Sequence, residues 1–253
     1  MADRALALVV DTGKALLENG GEVFRAQSTM EIMAHSLGVQ DFHVYVLTNG
    51  IFASAAGGTA TMVRHIPAVA THLGRVEALN ALSRELTAGR LDLPGAEAAL
   101  HRALAMPGYN TKLALLAGVL GSGCFAFLFG GGAPEVLAAA LAGAAALLLT
   151  SAGRRFAVSR IFTDILAAAA CTGVALAARV WVCPALNANT AIIGALMVLT
   201  PGVALTMGIR DFLNADYLSG AIRLFDAALI AGCLACGVSL AYMLARGLWG
   251  VLL

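Results

Sequence analysis

The sequence predicts an α-helical multi-pass membrane protein, with five transmembrane helices preceded by a soluble N-terminal α+β domain. Three observations carry this. Hydrophobic residues make up 60% of the 253-residue chain and charged residues only 12%, with a mean hydropathy of +0.84, far from the composition of soluble domains. The charges are uneven: residues 1–110 hold 8 of the 16 Lys+Arg and 10 of the 15 Asp+Glu. Within the apolar remainder, basic residues gather in alternate connections between long uncharged runs.

The N-terminal domain, residues 1–108, opens with two helical patterns, residues 3–18 and 22–37, the second ending on Gly38. The first has a short apolar run closed by Asp11 and Lys14, unlike a signal peptide. The period then changes. FHVYVLT alternates, Asn49-Gly50 is a two-residue hairpin signal, and Gly57-Gly58 is a second one. The expectation is a three-stranded antiparallel meander near residues 42–48, 51–56 and 59–66. Two further helices follow, over 71–88 and 95–105, with Pro94 between them, and Pro107-Gly108 marks the joint to the membrane region. A module of this size can bury a modest core.

Residues 109–253 form the membrane domain. A span needs about 20 apolar residues, and five such segments are found, near 112–130, 135–152, 161–182, 190–208 and 225–245. The run from Val180 to Ile209 exceeds one helix, and CPALNANT divides it. Arg154, Arg155 and Arg160 lie between the second and third spans, Arg210 and Arg223 between the fourth and fifth, while GGGAPE and CPALNANT carry no Lys or Arg. By the positive-inside rule the basic loops and the N-terminal domain are cytoplasmic and the C-terminus lies outside, across a bacterial inner (plasma) membrane. Gly118, Gly121, Gly143 and the Ala167–Ala170 run supply small faces for close helix packing in lipid.

Within the fourth span TPGVALTMGIRDF places Thr200-Pro201-Gly202 near mid-membrane. Proline removes a backbone donor, and glycine admits conformations other residues avoid. Non-helical backbone at that depth is tolerated inside protein or beside a watery cavity, and broken helices present backbone groups to substrates in secondary transporters. A packing kink is the plainer reading. Arg210-Asp211 then falls at the cytoplasmic end, where an ionisable pair either works or rests at the interface. Asn187 and Asn189 stand at the outer mouth as further candidates to meet a substrate.

Other chemistries find less support. The five cysteines all lie in the apolar region; Cys233-Cys236 forms a C-x-x-C with no nearby His, Asp or Lys, so packing explains it better than metal or redox chemistry. No cofactor or metal motif is present, and a net charge of +1 without a basic stripe gives no sign of a nucleic-acid partner. All five histidines sit in the N-terminal domain. His35-Ser36, Asp41, His43 and Asn49 permit a membrane-anchored hydrolase as the alternative function. No G-x-S-x-G, H-E-x-x-H or P-loop spacing accompanies them.

Taken together, GGEVFRAQSTMEIMAHSLGV, VLTNGIFAS and TPGVALTMGIRDFLNADYLSGAIRLFDA, with five spans behind an N-terminal domain, resemble the threonine/serine exporter family. The chain is most similar to the split form, whose larger component is called YjjP-like. The resemblance implies a transporter component exporting threonine/serine-type amino acids or dicarboxylates such as succinate, driven by an ion gradient. It implies roles in transport for Thr200, Pro201, Gly202, Arg210 and Asp211, and a gating role for Asn49 and Gly50. Fused members carry a second membrane domain, so a smaller partner subunit of inverted topology is expected to supply it here, in an oligomer.

Overall fold

The computed structural model describes residues 2–55, 60–67 and 70–250. The chain is mostly helical and divides into two compact units: Met1–Gly108 with Thr206–Leu224, and Tyr109–Leu205 with Phe225–Leu253.

In the first unit, α1 (Ala2–Glu18) and α2 (Val23–Ser36) pack on a three-stranded antiparallel sheet, β1 (His43–Leu47), β2 (Gly50–Ala55) and β3 (Ala60–His65), in the order β1-β2-β3. Helices α3 (Leu73–Thr87) and α4 (Leu93–Leu104) complete it. The alternation read from the sequence appears as burial. Val46, Ile51 and Ala53 turn into the core with Val9, Leu17, Met30 and Met33, while Tyr45, Phe52 and Val63 are exposed on the other face. Fully burying a Leu or Met contributes about 1.5–3 kcal/mol, so this core supplies the unit with its cohesion.

Three details differ from the sequence expectations. Leu47 pairs with Gly50, so the two-residue hairpin loop is Thr48-Asn49, one position earlier than expected. Neither Asn49 nor Gly50 takes a positive φ. Gly50 is instead a buried residue of the central strand, paired with both Leu47 and His65. Pro94 does not separate α3 from α4 but occupies the first turn of α4, where its missing N–H costs nothing. Asp92 caps that turn, its Oδ1 accepting from Gly95 N at 2.9 Å. The Gly57-Gly58 turn lies outside the described residues.

In the second unit, α5 (Thr111–Leu128), α6 (Ala133–Arg155), α7 (Arg160–Trp181) and α8 (Ala188–Leu196) pack with α6 in contact with each of the others. Two more helices, α9 (Gly202–Leu213) and α10 (Tyr217–Trp249), divide their residues between the units. Among the described residues, four helices are long and apolar enough to cross a membrane: α5, α6, α7 and the Tyr217–Gly247 stretch of α10. The expected fourth span falls on α8 and α9, of 9 and 12 residues. The fifth expected span starts too late: α10 begins at Tyr217 and incorporates Arg223 and Asp226, because charge interrupts hydropathy without interrupting a helix.

Alanine dominates the interior of this unit: Ala138, Ala139, Ala142, Ala146, Ala167 and Ala175 are buried. Helices approach closely at small residues. A Cβ at Gly194 would fall 2.6 Å from Ala126 N, and one at Gly237 would fall 2.3 Å from Ile165 O. Buried hydroxyls satisfy themselves locally, Thr172 Oγ1 donating to Ala168 O at 2.8 Å. Leu116, Leu120, Phe127, Leu137 and Leu141 are exposed on the outside, as a lipid-facing surface requires.

Candidate functional site: a broken helix and two polar clusters

α8 ends at Leu196 and α9 starts at Gly202. Pro201 has no N–H to return to Met197 O. The Gly202 N–H, which an unbroken helix would direct to Val198 O, lies 2.8 Å from Thr200 O instead. Two carbonyls thus lose their helical donors, although Met197 O accepts a weaker bond from Thr200 N at 3.3 Å. The Thr200 hydroxyl is turned back to Leu196 O at 3.1 Å, closing the end of α8. A Cβ at Gly202 would meet nothing within 4 Å. The break therefore brings together a proline, carbonyls without their helical donors and an open face.

Arg210 and Asp211, in the last turns of α9, do not pair with each other. Consecutive helical residues point in different directions, and each finds its own partner. Arg210 is ion-paired with Glu22. Asp211 is 3% exposed, and its Oδ2 lies 3.1 Å from Arg223 Nε. The fold achieves this with a tight helical hairpin. Ala215 takes φ 62° at the turn, and Asp216 N returns to Asp211 O at 2.9 Å. Gly208 and Gly220 admit the facing helix, and the Phe212 and Tyr217 rings meet edge to face at 5.8 Å.

The Asp211–Arg223 contact is close but poorly aligned, so Asp211 Oδ2 and Arg223 Nε, like the buried Ser219 Oγ, have no hydrogen-bond partner among the described residues. Arg223 also reaches Met207 Sδ at 3.3 Å. Asp211 lies outside the four candidate spans. Burial pushes its carboxyl above the usual carboxylate range; Arg223 opposes that push, and Asp216 and Glu22 add to it. Such a group takes up and releases a proton at milder pH than an exposed aspartate.

Asn187 and Asn189 belong to a separate cluster in the second unit. Asn187 is the N-cap of α8, its Oδ1 accepting from Thr190 N at 3.3 Å. Its own main-chain N–H donates to Glu135 Oε1 at 2.9 Å, while Glu135 Oε2 accepts from Gly132 N at 2.8 Å. Tyr242 donates its hydroxyl to Asn189 Oδ1 at 2.8 Å. Glu135 and Tyr242 are the residues that sequence reasoning missed. The signal for Glu135 was present as Glu three residues after Gly132 at a helix start, the reciprocal half of a capping box.

The remaining candidates are scattered. Asn49 is exposed in the β1–β2 loop. Ser36 Oγ donates to Ile32 O at 2.9 Å, His43 lies on the outward sheet face, and no hydrogen bond among the described residues joins Ser36, Asp41, His35 and His43. Cys233 is buried and Cys236 exposed on α10, both as free thiols. No group of three or more His, Cys, Asp or Glu among the described residues is placed to hold a metal ion.

The chain matches one family model, described as "Putative threonine/serine exporter", over residues 7–245. No curated protein and no solved structure matches it.

Proposed function

This chain belongs to the threonine/serine exporter family, and from that premise we propose that it exports small amino acids of the threonine/serine type across a bacterial inner membrane, using an ion gradient. In this reading the protein is a multi-pass transporter component and not a hydrolase. The observation that carries it is the Thr200-Pro201-Gly202 break, with carbonyls deprived of their helical donors beside an open glycine face. Backbone of this kind, at membrane depth, serves substrate or ion contact in secondary transporters.

The proposed path uses α8, the break and the start of α9 as a fifth, interrupted span beside α5, α6, α7 and α10. Arg154, Arg155, Arg160, Arg210 and Arg223 then lie on the cytoplasmic side with the N-terminal domain, and the C-terminus is outside. Asn187 and Asn189 mark the outer end, Arg210 and Asp211 the cytoplasmic end, and Asn49-Gly50 a gating loop. An odd span count fits a partner membrane subunit of inverted topology, the two halves enclosing a midplane site.

The test is efflux of labelled threonine from proteoliposomes holding the chain with its partner. Gly202→Leu is expected to abolish efflux while the amount of folded protein stays normal, since its side chain enters open space. Normal efflux by this variant would reduce the segment to a packing kink.

A further inference from the structure

The first unit contains a cleft of about 200 Å³ at the α1–α2 turn. That is below the 300–1,000 Å³ or so that drug-sized ligands occupy, so it has room for a small molecule only. Leu16, Leu73, Val76 and Met207 give it an apolar floor, and Glu22, Arg25 and Asn80 line it with polar groups. A glycine pair makes the fold-back possible: Gly20 takes φ +89°, and a Cβ at Gly21 would fall 2.8 Å from Leu16 O. The same Gly-Gly-Glu stretch stands out in the sequence as the start of α2.

Only part of the polar lining of the cleft is spent on the fold: Glu22 is ion-paired at one oxygen, while Arg25 is exposed and Asn80 half-buried. Glu22 sits at the N-cap of α2 yet makes no side-chain capping bond. Its Oε1 meets Arg210, and Oε2 accepts no hydrogen bond from a described residue. Arg25, one turn further along α2, makes no ion pair or hydrogen bond with a described residue, and neither does the Asn80 amide. A larger groove of about 390 Å³ between α1 and α4 behaves differently. Its charges are consumed in the pairs Arg4–Glu97, Lys14–Glu18 and Asp11–Arg64.

We propose that the Glu22–Arg25–Asn80 cleft is a recognition site for a small zwitterionic amino acid. Glu22 receives the ammonium group, Arg25 the carboxylate, and Asn80 a side-chain hydroxyl. The inference rests on the exporter reading for its biological sense, but the charge pattern selects the ligand class by itself. A dicarboxylate would bring its second carboxylate against Glu22, whereas an amino acid satisfies both ends. The incoming ammonium competes with the Arg210 guanidinium for Glu22, so occupancy of the cleft loosens the ion pair that holds α9 at Arg210.

The experiment is equilibrium binding of radiolabelled L-threonine to the purified full chain in detergent, with serine, alanine and succinate as competitors. Expected are saturable binding, displacement by serine and not by succinate, and at least tenfold weaker binding for both Glu22→Gln and Arg25→Gln. Asn80→Ala is expected to abolish the preference for threonine over alanine while alanine still binds, which keeps the test independent of the ion pair with Arg210. No saturable binding by the wild-type chain, equal displacement by succinate, or unchanged affinity in both charge variants would overturn the assignment. Efflux from cells separates the two levels. Threonine efflux by wild-type chain with binding indifferent to the variants sinks the cleft alone, whereas absence of threonine and serine efflux sinks the exporter reading and leaves binding to decide the cleft.

Discussion

The surroundings of Asp211 resist ionisation of its carboxyl. Burial holds its folded-state pKa above the unfolded value. The group therefore favours the folded chain below the ordinary aspartate pKa of about 3.9, and this contribution is lost as pH rises through the elevated folded value. Arg223, Asp216 and Glu22 are the charges that act on it. Asp211→Asn is expected to flatten the dependence of melting temperature on pH from about pH 4 upward, measured on detergent-solubilised protein; an unchanged slope would mean that the carboxyl is solvated like any other. If the same proton couples transport, the variant loses its response to a pH gradient while substrate exchange continues. Asn187 invites the opposite expectation. Its side-chain oxygen is committed to Thr190 N, so Asn187→Ala should cost about 1 kcal/mol of stability as a lost helix cap and leave the Glu135 bond to the main chain in place. Altered efflux at matched stability would instead put its amide on the substrate path.

The elements show what hydropathy can and cannot report. Spans are legible because twenty apolar residues in a row have few other uses, and α5, α6 and α7 stand close to the expected segments. The break after α8 was legible too, from Pro201-Gly202. The start of α10 was not, since a helix continues past Arg223 while a hydropathy window stops. The ion pairs were hidden for a different reason. Glu22 and Arg210 are 188 positions apart, and the Asn187 main chain meets Glu135 across 52; no local pattern encodes such meetings. Asp211 passed over its neighbour Arg210 for Arg223 because the Ala215 turn folds α10 back on α9. Close helix contacts give the sharpest expectation at this level. Gly237→Val places atoms where Ile165 O already stands, so α7 and α10 must separate locally. A loss of about 1–3 kcal/mol or more is expected, read as a lower melting temperature, while Gly232→Val, where a Cβ meets nothing within 4 Å, is expected to melt near wild type.

For the molecule as a whole, the proposed five-span topology makes a direct prediction. Reporter fusions after Arg155 and after Trp249 should give opposite signals, cytoplasmic and external; matching signals would remove the interrupted span formed by α8 and α9. α10 alone, at 33 residues, runs about 50 Å against an apolar membrane core of about 30 Å, so its charged first turns have room to stand beyond the apolar core. One feature of the interior reaches further than packing. The buried residues of the second unit are mostly alanine, and alanine has no rotamers to surrender when it is ordered, unlike Leu, Met or Lys. Ordering this interior therefore costs backbone freedom almost alone. The same property leaves it without slack: side chains that cannot change rotamer cannot absorb an imposed shift, so a displacement at one helix must be passed on as movement of its neighbours' backbones.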